Sequence, residues 1–270
     1  MTALLRIALG ALAVFVAAVV ALWFGQRRLL YFPSRYTLDA VRDRAREAGL
    51  EPWAPGGNFA GWRRPTPGAR GTLLVFHGNA GSAVDRLLIA EAFARASPSL
   101  PLEILLCEYP GYGPRPGEPG EGAILDAARE ALAAARAASP GPVFVLGESL
   151  GSAVAARLAA LAPGEVAGLV LVTPLASVPA VAARHFPWIP GFLSRDTWRA
   201  DRALPSYPGP VAFVVAGEDE VTFADLGRAL FEAYPGTKRL WLEPGATHNG
   251  LDWRASHPTW REVMAFVAGR

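Results

Sequence analysis

The pentapeptide Gly147-Glu148-Ser149-Leu150-Gly151 constrains this chain more than any other stretch. It joins a strand-like apolar run at residues 142–146 directly to a helix-like run at residues 152–161. A serine between two glycines at such a junction sits on a turn too tight for flanking side chains, and its hydroxyl stands out at the carboxyl edge of a sheet. The helix that follows brings its first amides and the positive end of its dipole toward the same point, which suits them to hold an oxyanion. The pattern predicts a strand, a strained turn and a helix, with Ser149 as a nucleophile.

A nucleophilic serine needs a base, and the chain has four histidines. On sheets that present the nucleophile in this way, the acid and then the histidine follow it in sequence. His77 precedes the serine and ends the strand-like run 71–76, where it reads as loop support. His185 lies in an aromatic, Pro-rich stretch, and His257 in a Ser-His-Pro helix start. His248 remains, in the loop Gly245-Ala246-Thr247-His248-Asn249-Gly250 after the apolar run 240–242, and is expected to act as general base. The acid should follow the preceding strand. There the run 211–216 leads into Gly217-Glu218-Asp219-Glu220, and Asp219 is the expected partner that holds the imidazole in its working tautomer. Glu218 and Glu220 read as solvated turn residues.

Oxyanion stabilisation calls for two amides aimed at one point. Leu150, after the nucleophile, and Asn79, in His77-Gly78-Asn79-Ala80-Gly81-Ser82, occupy the matching places. Ser82 has no elbow around it and is not expected to be a second nucleophile.

With these motifs in place, the chain resembles the α/β-hydrolase superfamily. Within it, the chain resembles the membrane-anchored serine hydrolases of the Bem-type group, relatives of protein depalmitoylases. The resemblance rests on Tyr31-Phe32-Pro33 after an apolar segment, His77-Gly78-Asn79-Ala80-Gly81, Glu108-Tyr109-Pro110-Gly111-Tyr112-Gly113, the serine pentapeptide, and Asp219-Glu220-Val221 with Thr247-His248-Asn249. It covers residues 29–270. The chain departs from the group where Thr222-Phe223 replaces the usual proline after the acid, and where Glu108 and Pro110 vary the aromatic-glycine motif. The resemblance implies an α/β-hydrolase fold and hydrolysis of an acyl ester or thioester through an acyl-enzyme. A serine peptidase on the same fold, cofactor-free perhydrolysis by the same triad and a non-catalytic membrane-tethered binding protein are the competing readings. The last would be marked by a degenerate elbow or a missing histidine, and neither is seen.

Apolar runs at 73–76, 102–106, 143–146, 169–172, 211–215 and 240–242 alternate with helix-like stretches such as 121–138 and 260–268. That alternation predicts a mostly parallel sheet covered by helices on both faces. A formal charge of +2 gives no reason to expect nucleic acid, and one cysteine, Cys107, excludes an internal disulfide. No metal-ligand spacing or phosphate loop stands out, so no cofactor is expected, and the chain is expected to act as a monomer.

Residues 7–24 are almost entirely apolar and long enough nearly to cross a hydrocarbon layer of about 30 Å. Residues 1–28 are therefore expected to form a membrane anchor ahead of a catalytic domain at 29–270. A cleaved signal peptide is the rival reading, but the run is long for one and has no convincing small-x-small site before Gln26. Arg27, Arg28 and Arg35 outnumber Arg6, which leans toward a cytoplasmic catalytic domain. An insertion at about 176–205 carries His185-Phe186-Pro187-Trp188-Ile189-Pro190-Gly191-Phe192-Leu193 and reads as a small lid. Its aromatic residues either line an acyl pocket, rest on a bilayer, or cover the sheet edge.

Overall fold

The computed structural model describes residues 3–188 and 190–270, so Met1 and Thr2 of the expected anchor and Ile189 of the expected lid lie outside the described residues. The chain begins with α1 (Ala3–Leu30) and continues through β1 (Phe32–Pro33), α2 (Leu38–Glu47), β2 (Glu51–Trp53), β3 (Gly61–Arg64), β4 (Gly71–Phe76) and β5 (Ala80–Gly81). The central part holds α3 (Leu87–Ala96), β6 (Leu102–Cys107), α4 (Glu121–Ala138), β7 (Val143–Glu148), α5 (Leu150–Leu161) and β8 (Gly168–Val172). There follow α6 (Val178–His185), α7 (Ala200–Ala203), β9 (Val211–Ala216), α8 (Ala224–Ala233), β10 (Lys238–Glu243) and α9 (Pro258–Val267).

The main sheet has eight strands in the order β10-β9-β8-β7-β4-β6-β3-β2. The run from β10 to β6 is parallel, while β3 and β2 are added antiparallel. These two were not expected from the sequence, because Glu-Pro-Trp and Gly-Trp-Arg-Arg are short and polar. β3 pairs with the buried apolar strand β6 and β2 pairs in turn with β3, so backbone pairing at a sheet edge suffices to order them.

Alternation along the parallel strands divides the core into two layers. Leu74, Phe76, Leu169, Leu171, Val211 and Phe213 face the layer formed with α4 and α5. Leu73, Val75, Val170, Val172, Ala212 and Val214 face the layer formed with α3 and α9. Strands buried on both faces need continuous apolar sequence, which is why these runs stood out.

Helix α1 is continuous to Leu30, so the domain boundary expected at residue 28 falls inside a helix. Its last turn is fastened to the lid. Arg27 donates through Nε and Nη2 to Asp196 at 2.9 and 3.0 Å, and Tyr31 donates its hydroxyl to the same carboxylate at 2.9 Å. Trp198 Nε1 donates to the Tyr31 hydroxyl at 3.0 Å. Gln26 donates to the carbonyl of Leu193 and accepts from the amide of Arg195, both at 2.8 Å. Asp196 is buried, so removing it would orphan a buried hydroxyl and an arginine together. Asp196→Ala should cost about 2–3 kcal/mol, read from urea denaturation of the detergent-solubilised protein. A cost under about 0.5 kcal/mol would mean that the helix and the lid are held by apolar packing alone.

Candidate active site

Ser149 stands between β7 and α5 with φ 53° and ψ −119°, a conformation that an L-residue adopts only under restraint. The two glycines of the pentapeptide make the turn possible. A Cβ on Gly147 would lie 2.1 Å from the carbonyl oxygen of Gly151, and one on Gly151 would lie 2.1 Å from that of Phe76. The Ser149 amide donates to the carbonyl of Val172 at 2.9 Å, which pins the turn to β8. Ser152, one turn on, takes the Leu175 amide on its hydroxyl at 2.8 Å and donates to the Ser149 carbonyl at 2.5 Å.

Three loops at the carboxyl ends of β7, β9 and β10 bring together Ser149, Asp219 and His248. His248 Nε2 lies 3.0 Å from Ser149 Oγ, and His248 Nδ1 lies 2.8 Å from Asp219 Oδ2. Asp219 is buried between the exposed Glu218 and Glu220, which separates the three neighbouring carboxylates. Asp219 Oδ1 accepts from the amides of Val221 and Thr222 at 2.8 and 2.9 Å, and Oδ2 accepts from the Thr222 hydroxyl at 2.7 Å. Burial raises the carboxyl pKa. The hydrogen bond and charge of His248 and the two donors of Thr222 outweigh burial, so the net value falls below the ordinary one. Thr222 thus has a role the sequence did not disclose: a proline there could donate neither bond.

The other histidines are outside this line, although His185 is in the wall of the cavity beside Ser149. His77 is buried beneath the loop after β4, with Nδ1 2.8 Å from the Gly78 carbonyl and Nε2 3.3 Å from Glu108 Oε1. His185 Nε2 lies 3.1 Å from the Val221 carbonyl, and His257 precedes α9. Ser82 is buried and donates to Asp85, with Tyr36 donating to it.

Asn79 and Leu150 flank Ser149 along one cavity. The carbonyl of Asn79 is held from behind by the Tyr112 hydroxyl at 2.7 Å and the Phe32 amide at 2.9 Å, while the Tyr109 hydroxyl holds the His77 carbonyl at 2.7 Å. The Asn79 side chain donates to the Leu30 carbonyl at 2.9 Å, and β1 pairs with β5 through Phe32 with Ala80 and Pro33 with Gly81. The stem of α1 therefore supports the loop that carries Asn79. Across the elbow, Arg86 pairs with Glu148 at 2.6 Å.

The cavity beside Ser149 has a volume of about 390 Å³, within the range of small-molecule sites. Its walls include Leu175 and Val178 before and within the lid, Phe186 at the lid tip, and residues of α1. Trp188 and Phe192 instead point outward, 75% and 85% exposed. Among the described residues no group of three or more His, Cys, Asp and Glu side chains is placed to hold a metal ion.

Residues 71–195 match the family model for the alpha/beta hydrolase fold. Over 240 residues the chain is 38% identical to an uncharacterized protein of Mycobacterium tuberculosis, a match spanning 86% of this chain and 83% of that one. The chain belongs to the α/β-hydrolase family, a family of hydrolases, and within it to the Bem-type group. It is 30% identical over 192 residues to protein bem46 of Schizosaccharomyces pombe, covering 68% of this chain and 63% of that protein. It is 31% identical over 198 residues to alpha/beta hydrolase domain-containing protein 17C of Homo sapiens, covering 72% and 57%. Among solved structures, Est1E from Butyrivibrio proteoclasticus superposes with a TM-score of 0.64 at 16% identity, over 82% of this chain and 100% of that one. A monoacylglycerol lipase of Paleococcus ferrophilus superposes at 0.55 and 20% identity, over 74% and 95%. These two likenesses are of fold.

The Asp219 environment yields a pH prediction. A carboxyl whose folded value lies below its ordinary 3.8 adds stability that is complete above that value and is lost as pH falls through the folded one. Thr222→Val removes one of the lowering bonds, so acid inactivation should begin at higher pH than in the wild type. An unchanged acid midpoint would mean that His248 and the backbone amides of residues 221 and 222 suffice to keep Asp219 ionised.

Proposed function

We propose that this protein is a membrane-tethered serine hydrolase that cleaves acyl esters or thioesters through Ser149, His248 and Asp219. The observation that carries the reading is the continuous line from Asp219 Oδ2 through the imidazole to Ser149 Oγ, at 2.8 and 3.0 Å, ending in an apolar cavity. In this reading Ser149 Oγ attacks the acyl carbonyl while His248 Nε2 takes its proton, and Asp219 stabilises the imidazolium that forms. The amides of Leu150 and Asn79 hold the oxyanion, and each such donor contributes roughly 3 kcal/mol to transition-state stabilisation. His248 returns the proton to the leaving alcohol or thiol. A water activated by the same histidine then releases the acyl group from Ser149.

An apolar cavity supports an acyl substrate over a peptide, whose polar backbone would be left without partners there. Tethering is supported by α1, where an 18-residue stretch within Leu5–Leu30 has a mean hydropathy of 2.7 and no fully buried residue. We take residues 1–28 as the anchor, 29–270 as the catalytic domain acting as a monomer, and the cytoplasm as its side.

Labelling with a fluorescent fluorophosphonate should mark the wild type and be lost in Ser149→Ala and His248→Ala, with kcat for a short ester falling by about four orders of magnitude or more. Labelling that survives Ser149→Ala would place the nucleophile elsewhere. For sidedness, protease added outside intact cells should leave the catalytic domain whole; its removal would put the domain outside the cytoplasm.

A further inference from the structure

One face of the anchor helix is turned toward the site. Val19, Leu22, Trp23, Gln26 and Leu30 of α1 line the same cavity as Ser149. Their spacing of three and four residues is one stripe of a helix. Val19, Leu22, Gln26 and Leu30 are half-buried while Val20, Ala21, Phe24 and Arg28 stay exposed, so the stripe is real in packing as well as in spacing. The opposite wall is α6 and the lid tip, with Val178, Val181, Ala182 and Phe186.

The membrane geometry places this stripe within the lipid layer. Arg6 and Arg27 bound the apolar part of α1. Residues 7–18, which precede the cavity wall, rise only about 18 Å, well short of a hydrocarbon layer of about 30 Å. Residues 7–26 rise about 30 Å and fit it. A bilayer that accommodates the whole apolar stretch therefore surrounds the turns that wall the cavity. The exposed Trp188 and Phe192 belong to the lid that Gln26 and Arg27 bind, and exposed aromatic side chains of this kind prefer the membrane interface.

We propose that the cavity is an acyl-chain channel whose one wall is the membrane helix itself, so that α1 sets acyl-length specificity as well as location. The chain of a lipid or lipidated substrate lies along the Val19, Leu22 and Gln26 stripe with its carbonyl carbon at Ser149. This rests on the hydrolase reading given above. Each methylene that the stripe covers should favour reaction by about fourfold, so kcat/KM should climb with acyl length until the cavity is filled.

The test uses the full-length protein in detergent or nanodiscs with nitrophenyl esters from acetate to palmitate. Leu22→Trp and Val19→Trp fill the channel from the helix side, and Ala21→Trp adds the same bulk on the opposite face. In both channel variants kcat/KM for long esters should fall roughly tenfold or more while acetate hydrolysis and fluorophosphonate labelling stay within about twofold, and Ala21→Trp should keep the wild-type profile. Long-chain preference that survives both channel variants, with acetate hydrolysis intact, overturns the helix wall and leaves Ser149 chemistry standing. A wild type inert toward every ester and unlabelled by the probe overturns both readings.

Discussion

The conformation of Ser149 is the constraint around which the rest of the molecule is arranged. A residue other than glycine held at φ 53° costs on the order of 1–3 kcal/mol, and the surroundings must over-determine it to keep it there. They do so from three sides. Val172 on the neighbouring strand takes its amide, Ser152 on the following helix engages its carbonyl, and the backbones of Phe76 and Gly151 close to distances that exclude any side chain at the flanking positions. Moving the strand order by one place would remove the Val172 partner, so sheet topology and nucleophile geometry are the same specification.

What could be read from the sequence follows how local its cause is. The elbow was legible because its glycines answer to contacts within a few residues, and β4 and α4 because burial on both faces, or on one, leaves a periodic apolar record. The Asp219 loop was legible as a loop; that Asp219 rather than Glu218 or Glu220 faces His248 depended on chain order and resemblance. Strands β2 and β3 were missed since an edge pairing needs only a backbone partner. Thr222 was noticed as a departure, yet its two bonds to Asp219 exist only once the loop has curled. The stripe on α1 left no trace at all, because a helix that is apolar all round shows no contrast between the face toward protein and the face toward lipid. Gln26 and Arg27, polar groups just inside the end of that helix, were the one hint.

The aromatic-glycine motif gains a physical reason from the structure. Tyr109 and Tyr112 spend their hydroxyls on the carbonyls of His77 and Asn79. The Asn79 amide shares its peptide unit with the Gly78 carbonyl, which lies 2.8 Å from His77 Nδ1, and the two tyrosines fix the peptide units on either side of it. The buried Glu108 continues the same support by taking the Ala83 amide at 3.0 Å. These residues support the loop that carries Asn79 from behind.

The joint between α1 and the loop after β4 has a consequence for how this protein can be divided. The Leu30 carbonyl takes the Asn79 side chain, and the next two residues are a strand of a small sheet whose other strand follows Asn79. Helix α1 and the globular part are in this sense not separable modules. A cut at residue 28, where the proposed anchor ends, would sever α1 two residues before the Leu30 carbonyl that holds Asn79. A replacement for the proposed anchor would have to leave Gln26, Arg27 and Leu30 in place to keep these contacts.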